Sequence, residues 1–588
     1  MLRKLARSVR DVKRPAILTP ILIVGEVVME IMMPLTIVRL VGYIRAAEGT
    51  GSMKYVIICG IQLLAMALIS LLFGALAGKT AAKASTGFAK NLRHDLFVSV
   101  QNFSFSNIDK FSTSSLITRM TTDVNNVQMS FMMIIRTAVR APLMMISAII
   151  AAFSLHPTLP WLFVVVVPLL GLALGMIIKV AMPLFNRVFK KYDALNASIQ
   201  ENVKGMRVVK AYVREDHECE KFGNAAEEVK REFTRAEKVV ALNMPVMNFF
   251  MHVNMLVIAF FGAKLIINGN PSVAGSINVE TLSSLLTYSM QVLMSLMMCS
   301  MIFVQIAISV ESARRIVEVL DEKAEIVSPQ NPITEIADGS FAFENVSFKY
   351  QRNAEKYVLS DINLSVPSGS TVGIMGVTGS AKSSLVSLLP RLYDTTEGAV
   401  YVGGKNVKEY DIVALRDAIS VVLQKNLLFS GTIAENLRWG NPNATDDELV
   451  AACKIAQADE FIRTFPDGYE SHIEQGGTNV SGGQKQRLCI ARAILKKPKI
   501  LIFDDSTSAV DTKTDAFIRK GLKEQIPNTT KIIIAQRVAS VMDADVILIM
   551  EGGKIAAKGT HGELMQNFPP YREMYEAQNR VSEEGGEA

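Results

Sequence analysis

Apolar residues are spread unevenly along this 588-residue chain. They crowd into roughly the first 310 positions, in runs long enough to cross a bilayer, which takes about 20 residues. Tyr55 to Gly78 carries no charged side chain. Ala141 to Ile178 carries none either, and His156-Pro157-Thr158-Leu159-Pro160 interrupts it. That pattern predicts a helical hairpin whose first arm begins near Phe131. Leu242 to Ala263 and Thr281 to Val310 are two further spans. Pro15 to Ile44 is apolar as well, although it holds Glu26, Glu30 and Arg39. Six membrane helices are therefore expected.

Charge then orients them. MLRKLARSVRDVKR carries six Lys/Arg against one Asp, so the N-terminus is expected on the cytoplasmic side. The apolar run behind it is too long for the core of a cleaved signal peptide, and an interfacial helix is expected before it. The short segments 45–54, 155–160 and about 268–279 are expected outside. Residues 79–130 and 180–241, rich in Lys, Arg, Asp and Glu and poor in Pro and Gly, are expected inside as extensions of the membrane helices. The five cysteines form no CxxC pair, so reduced thiols are expected, without a metal site or a disulfide framework. A net charge of +6 fits basic flanks beside a membrane, and nothing else in the chain points to nucleic acid.

The rest of the chain reads as a soluble α/β domain. The expected boundaries are a membrane domain at 1–325, a linker at 326–340, the soluble domain at 341–580 and a flexible tail at 581–588. Phe341 to Tyr350 alternates as a strand does. Thr371 to Leu389 reads as strand, Gly-rich turn and apolar helix, and the turn is Gly376-Val377-Thr378-Gly379-Ser380-Ala381-Lys382-Ser383-Ser384. In that context the pattern G-x-x-x-x-G-K-[ST] predicts a phosphate-binding loop. Small residues let backbone N–H groups curl round phosphates at a helix N-terminus. Lys382 is expected to reach the β- and γ-phosphates, and Ser383 to bind Mg²⁺. Ala381 breaks the pattern, because it adds a Cβ where the second glycine belongs.

Ile500 to Phe503 is an apolar strand ending in Asp504-Asp505. Asp504 is expected to hold Mg²⁺. Asp505 stands where a general base would polarise the attacking water. It is one methylene shorter than glutamate, leaving it about 1–1.5 Å short, and misplacement of about 1 Å can cost on the order of a hundredfold in rate. Ser481-Gly482-Gly483-Gln484 heads a helix and offers N–H groups to an anion. Lys531 to Ala535 is a strand that runs into Gln536, which can hydrogen-bond but cannot shuttle a proton.

These motifs, in this order, resemble those of the ABC exporter family, and the resemblance covers nearly the whole chain. It implies a half-transporter: an all-α domain of six membrane helices followed by an ABC-type P-loop ATPase domain using ATP and Mg²⁺. It further implies that Tyr350 stacks on adenine, and that Gln424 links Mg²⁺ and the γ-phosphate to the membrane domain. Ser481, Gly482, Gly483 and Gln484 are the signature segment that closes over the ATP of the opposite subunit. Glu474 to Gly477 resembles the family's X-loop and Ser508 to Asp511 its D-loop. Phe103 to Arg119 and Glu201 to Tyr212 resemble its coupling segments.

In the family, Asp505 stands in place of a glutamate and Gln536 in place of a histidine. That pairing resembles the degenerate-site subunit of heterodimeric bacterial multidrug exporters, which keeps a good signature segment and partners a half-transporter carrying the intact Glu and His. The implied setting is the bacterial cell membrane, with both termini cytoplasmic. A homodimer with slow ATPase and a non-transporting ATP-binding switch are the alternatives. The substrate expected is a small amphiphile, drug-like or lipid; no peptidase domain precedes the first helix, which weighs against peptide processing. Met244, Met247, Met251, Met255, Met290, Met294, Met297, Met298 and Met301 enrich the last two spans, as an adaptable lining or as packing. Glu26, Glu30, Arg136 and Arg140 are ionisable groups at membrane depth, as structural pairs or as a binding site.

Overall fold

The computed structural model describes residues 1–47, 53–268, 277–351, 354–505 and 510–584. The central parts of the expected outer segments 45–54 and 268–279, and Ser508 and Ala509 of the D-loop, lie outside them. The chain divides into two compact units, residues 1–101 with 112–322, and residues 102–111 with 323–588.

In the first unit, six helices are long and apolar enough to cross a membrane. Their main segments are α1 (Lys13–Ala47), α2 (Met53–Gln101), α4 (Val124–Leu155), α5 (Trp161–Ala211), α7 (Asn243–Asn268) and α8 (Val279–Asp321); α6 (Glu215–Val240) leads into α7, and the short α3 (Phe105–Lys110) belongs to the second unit. The hairpin expected at 141–178 forms, with its turn at His156–Pro160 between α4 and α5. The His156 ring Nδ1 accepts the backbone N–H of Leu159 at 3.2 Å, which closes that turn.

Backbone polar groups freed inside a bilayer must find partners within the protein. Pro34 lies inside α1 and has no N–H to give the preceding turn. Tyr288 of α8 donates its hydroxyl to the Ile31 carbonyl at 2.6 Å, and Ser284 donates to the Pro34 carbonyl at 3.0 Å. Tyr288 is fully buried, so α8 fastens α1 in the turn around Pro34.

Three of the ionisable groups noted in the sequence, Glu26, Glu30 and Arg140, come together. Arg140 of α4 donates Nη1 to Glu26 Oε1 at 2.5 Å and Nη2 to Glu30 Oε1 at 2.8 Å, both on α1. Gly74 of α2 makes room for this, since a Cβ there would lie 3.0 Å from Glu26 Oε1. One guanidinium thus holds two carboxylates one helical turn apart.

The second unit is α/β. A four-stranded antiparallel sheet has the order β2-β1-β4-β5, with β1 Phe341–Phe348, β2 Leu359–Val366, β4 Glu397–Val402 and β5 Lys405–Asn406. A six-stranded sheet has the order β10-β9-β3-β8-β7-β6, formed by β3 (Thr371–Met375), β6 (Ile419–Val422), β7 (Ile500–Asp504), β8 (Thr530–Ile534), β9 (Val546–Glu551) and β10 (Lys554–Gly559). All its pairings are parallel except β9 with β10. Strands β7 and β8 are buried along nearly their whole length, as continuous apolar runs predict for a doubly covered parallel sheet.

Residues 326–340, expected as a linker, run as extended chain on this unit: Ile333 exchanges backbone hydrogen bonds with Glu409 and Asp411, and Ile336 is buried. The last helix continues to Glu584, so residues 581–584, expected in a flexible tail, are helical. The correction has a physical reason: its first positions are Pro569 and Pro570, which favour helix initiation, and no Gly or Pro follows before Gly585.

Replacing Arg140 by Leu would leave Glu26 and Glu30 facing each other without their cation. Arg140→Leu is expected to destabilise the membrane unit by about 3 kcal/mol. Combining it with Glu26→Gln and Glu30→Gln should recover most of that loss. Denaturant titration of the full chain in detergent reads both.

Candidate functional site

Parallel register brings the singled-out residues to one sheet edge. In β8, Lys531 pairs with Thr371 of β3 and Ile534 with Ile374; on the other side Ile534 pairs with Asp504 of β7. Strands β3, β7 and β8 therefore end side by side, and their carboxyl ends lead into Gly376, Asp505 and Gln536 respectively. Ligands in open α/β sheets bind at such carboxyl ends.

The glycine-rich turn joins β3 to α9 (Lys382–Ser387). Gly376 has φ 148°, and a Cβ there would lie 2.2 Å from the Met550 carbonyl oxygen. Gly379 has φ 86° and nothing within 4 Å of its Cβ position, so the loop faces open space there. Thr378 lies between them, and Ser380 is buried. Lys382 donates Nζ to the carbonyls of Gly376 at 2.8 Å and Val377 at 2.9 Å, and to Ser380 Oγ at 3.3 Å. Its ammonium folds back into its own loop, and burial holds its pKa below the usual lysine value.

Ala381 occupies the left-handed region, at φ 69° and ψ 25°. The sequence argument concerned its Cβ; the backbone adds that this φ is one glycine adopts freely and alanine only at a cost of about 1–2 kcal/mol.

Ser383 donates its hydroxyl to Asp504 Oδ1 at 2.7 Å. Burial, the largest influence, raises the pKa of Asp504, with Asp505 adding to it and Ser383 opposing. Two oxygens thus converge where one carboxylate is poorly solvated. That donor set fits a hard divalent cation such as Mg²⁺, which takes oxygen ligands and offsets such a charge.

Asp505 follows with φ 47°. Its Oδ2 accepts the Gln536 amide Nε2 at 2.9 Å and the Gln424 amide Nε2 at 3.2 Å. The three residues picked out separately in the sequence therefore form one cluster. Its donors are amides, which orient a carboxylate but neither give nor take a proton at neutral pH.

Tyr350 lies just beyond β1, and its hydroxyl shares a 2.8 Å hydrogen bond with Ser384 Oγ. Its ring meets Phe348 at 4.9 Å and Tyr393 at 5.1 Å between centroids, both edge-on. Tyr393 was not anticipated. Its hydroxyl donates to Asp109 of α3 at 2.7 Å, a contact 284 positions apart in sequence.

Ser481 caps α10 (Gly482–Leu495): its N–H donates to Gln484 Oε1 at 2.9 Å and its Oγ accepts the Gln484 N–H at 3.3 Å. The reciprocal bonds fix the turn while Ser481 and Gly482 stay exposed, with Gly483 half-buried behind them.

Residues 16–296 match the family description "ABC transporter transmembrane region", and residues 359–508 match "ABC transporter". The chain belongs to the ABC transporter family. An ABC transporter ATP-binding protein of Bacillus subtilis, YfiB, is 35% identical over 97% of this chain and 96% of its own length. A Mycobacterium bovis protein named as a fatty acid ABC transporter ATP-binding/permease protein is 32% identical over 83% of this chain and 76% of its own. The solved structure of a bacterial Atm1-family ABC exporter with ATP bound superposes with a TM-score of 0.84, at 23% identity, over 96% of this chain and 99% of that one. This ABC transporter thus has the exporter architecture: six membrane helices and an ABC ATPase domain in one chain.

Ala381→Gly removes the backbone penalty and the added Cβ together. If that penalty keeps the loop partly out of its binding form, the dissociation constant for ATP falls up to about fivefold. Equilibrium titration with labelled ATP measures it, and an unchanged constant would mean that alanine is fully accommodated.

Proposed function

We propose that this ABC transporter exports a small amphiphilic compound across the bacterial cell membrane, both termini cytoplasmic, as the degenerate-site half of a heterodimer. The observation that carries the reading is the cluster at Asp505, where Gln424 and Gln536 both donate to one carboxylate oxygen. A short carboxylate that accepts two amides, with no imidazole beside it among the described residues, is a poor water-activating arrangement. The loop around Lys382 and the Ser383–Asp504 pair supports nucleotide binding all the same.

In this reading the residues divide the work. Gly376, Thr378, Gly379, Ser380 and Ala381 shape the loop whose N–H groups bind phosphates, and Lys382 turns from its own carbonyls to the β- and γ-phosphates. Ser383, Asp504 and Gln424 hold Mg²⁺, which supplies charge neutralisation across the phosphates when bound. Tyr350 stacks on adenine, and Ser384 fixes its hydroxyl. Ser481, Gly482, Gly483 and Gln484 face the nucleotide of a second half-transporter that carries Glu and His at the positions of Asp505 and Gln536. ATP-driven closure of the pair then biases the membrane helices between two states.

For the substrate, Met290, Met294, Met298 and Met301 lie exposed at spacings of three and four along α8. Such a face suits varied apolar shapes. The Mycobacterium bovis relative's name points to an amphiphile as well. The ionic groups argue less for cation binding, because Arg140 already occupies both glutamates.

Purified alone, the chain is expected to hydrolyse ATP far more slowly than the reconstituted pair, and Ser481→Ala should depress turnover at the partner's site. An isolated chain that turns over as fast as the pair would remove the heterodimer reading.

Chemistry at the chain's own site is tested with the partner's glutamate disabled. Asp505→Glu extends the carboxylate and Gln536→His restores the imidazole. Groups acting on one transition state are non-additive, so the double variant should exceed the product of the two single gains. A double variant no faster than the parent would place the fault elsewhere, in Ala381 or in the partner's signature segment.

A further inference from the structure

Helix α11 (Pro569–Glu584) reaches back to the nucleotide edge. Its Tyr571 is fully buried, and Met574 and Tyr575 pack on the same core. His561 Nδ1 lies 2.8 Å from the Tyr571 hydroxyl and its ring 5.2 Å from that of Tyr575. Positions 571, 574, 575 and 578 share one helical face. The fourth is polar: Gln578 is half-buried, and both ends of its amide are used. Nε2 donates to the Gln536 carbonyl at 3.0 Å, and Oε1 accepts the Val538 N–H at 2.8 Å. One side chain thereby pairs with two peptide groups of the loop after β8, as a neighbouring strand would.

The same loop carries the Gln536 side chain to Asp505 at 2.9 Å. Val538 itself is buried and anchors the far side of the loop. The backbone from Gln536 to Val538 is thus held by Gln578 on one side and by β8 before it. A rotation about this backbone swings the Gln536 amide away from the nucleotide edge, and the two Gln578 hydrogen bonds oppose it.

We infer that Gln578 is a positioning residue for the nucleotide site, fixing the loop so that the Gln536 amide presents its N–H group to the γ-phosphate. The inference rests on the proposed reading of this edge as an ATP site, and takes Gln536, which stands in place of the family's histidine, as the group that meets the γ-phosphate. It assigns the C-terminal helix a part in telling ATP from ADP. Only an amide of this length serves, because the loop offers one acceptor and one donor.

The test is the ratio of ADP to ATP dissociation constants for the full-length chain with Mg²⁺, from equilibrium titration with labelled nucleotides. A charge-assisted hydrogen bond to the γ-phosphate gives Gln536 a preference for ATP on the order of tenfold, which Gln536→Ala should lose. Gln578→Ala should lower the ratio by at least about threefold, with the ADP constant little changed, and should have no further effect in a Gln536→Ala background. Gln578→Glu, which keeps the acceptor for Val538 but sets a carboxylate against the Gln536 carbonyl, should behave as Gln578→Ala does. It also serves where the alanine variant folds poorly.

A lowered ratio with Gln536→Ala but an unchanged one with both Gln578 variants would overturn the inference and leave the reading of Gln536 standing. Equal weakening of ATP and ADP by the Gln578 variants, or an undiminished effect in the Gln536→Ala background, would also overturn it, since the role would then be structural. An unchanged ratio with Gln536→Ala would overturn the reading and the inference together.

Discussion

The nucleotide edge depends on one constraint, the register of three parallel strands. Strand β8 lies between β3 and β7, and Ile534 is level with Ile374 on one side and Asp504 on the other. Backbone hydrogen bonds extend the pairing past the strand ends, from Ala535 N–H to the Ile374 carbonyl at 3.2 Å and from Asp505 N–H to the Ile534 carbonyl at 3.1 Å. A slip of one residue would turn every side chain to the opposite face. Such a slip would take Ile532 and Ile534 out of the core they share with Ile374 and Ile502, and move Asp504 away from Ser383. Burial of the apolar strands therefore fixes the positions of polar groups that contribute little burial themselves.

Within that frame, the residues at 505 and 536 meet by hydrogen bonding. The Gln536 amide reaches a carboxylate neighbour at 2.9 Å, and Gln424 joins it from the end of β6. The cluster is hydrogen-bonded through two amides, which neither give nor take a proton at neutral pH. Fold and chemistry separate here: the edge is built by strand register, and the rate depends on which side chains stand on it. The phosphate loop makes the same point, because Ala381 adopts the left-handed conformation at its own energetic cost instead of deforming the turn.

Legibility from sequence follows the range of the interactions. The six spans could be read because bilayer crossing is a local matter of length and apolarity, and the hairpin at His156–Pro160 because prolines end helices locally. The phosphate-loop pattern around Lys382 and Ser383 could be read because its strand-loop-helix context is contiguous, and Asp504 because it ends an apolar strand. Contacts distant in sequence were hidden. Tyr393 and Asp109 are 284 positions apart, and Tyr288 and Ile31 are 257 apart, so no window of sequence contains both partners. The grouping of 102–111 with the ATPase unit was hidden for the same reason. Gln578 left a faint trace, a polar residue in register with Tyr571, Met574 and Tyr575, which ordinary reading takes as the frayed end of an apolar stripe. The membrane ionic groups could be read as pairs or as a binding site, but not which arginine meets which glutamate, since the partners sit on different helices.

The state of Lys382 joins these points. Its ammonium already has three oxygen partners within the loop, two of them main-chain carbonyls. Phosphate binding therefore exchanges hydrogen bonds instead of creating them, and the gain comes from replacing neutral acceptors by charged ones, which make bonds roughly twice as strong. Burial already disfavours the lysine's charge, which makes that exchange more favourable still. Asp504 is the counterpart: burial disfavours its negative charge as well, and a cation relieves it. A partly buried cation at the start of α9 and a partly buried anion at the end of β7 lie at one sheet edge, each with provisional hydrogen-bond partners. Nucleotide with its divalent ion supplies both missing charges at once. In the proposed reading, binding strength in such a site is set by Lys382, Ser383 and Asp504, and cleavage by the residues at 505 and 536. The two properties can therefore diverge without any change in fold.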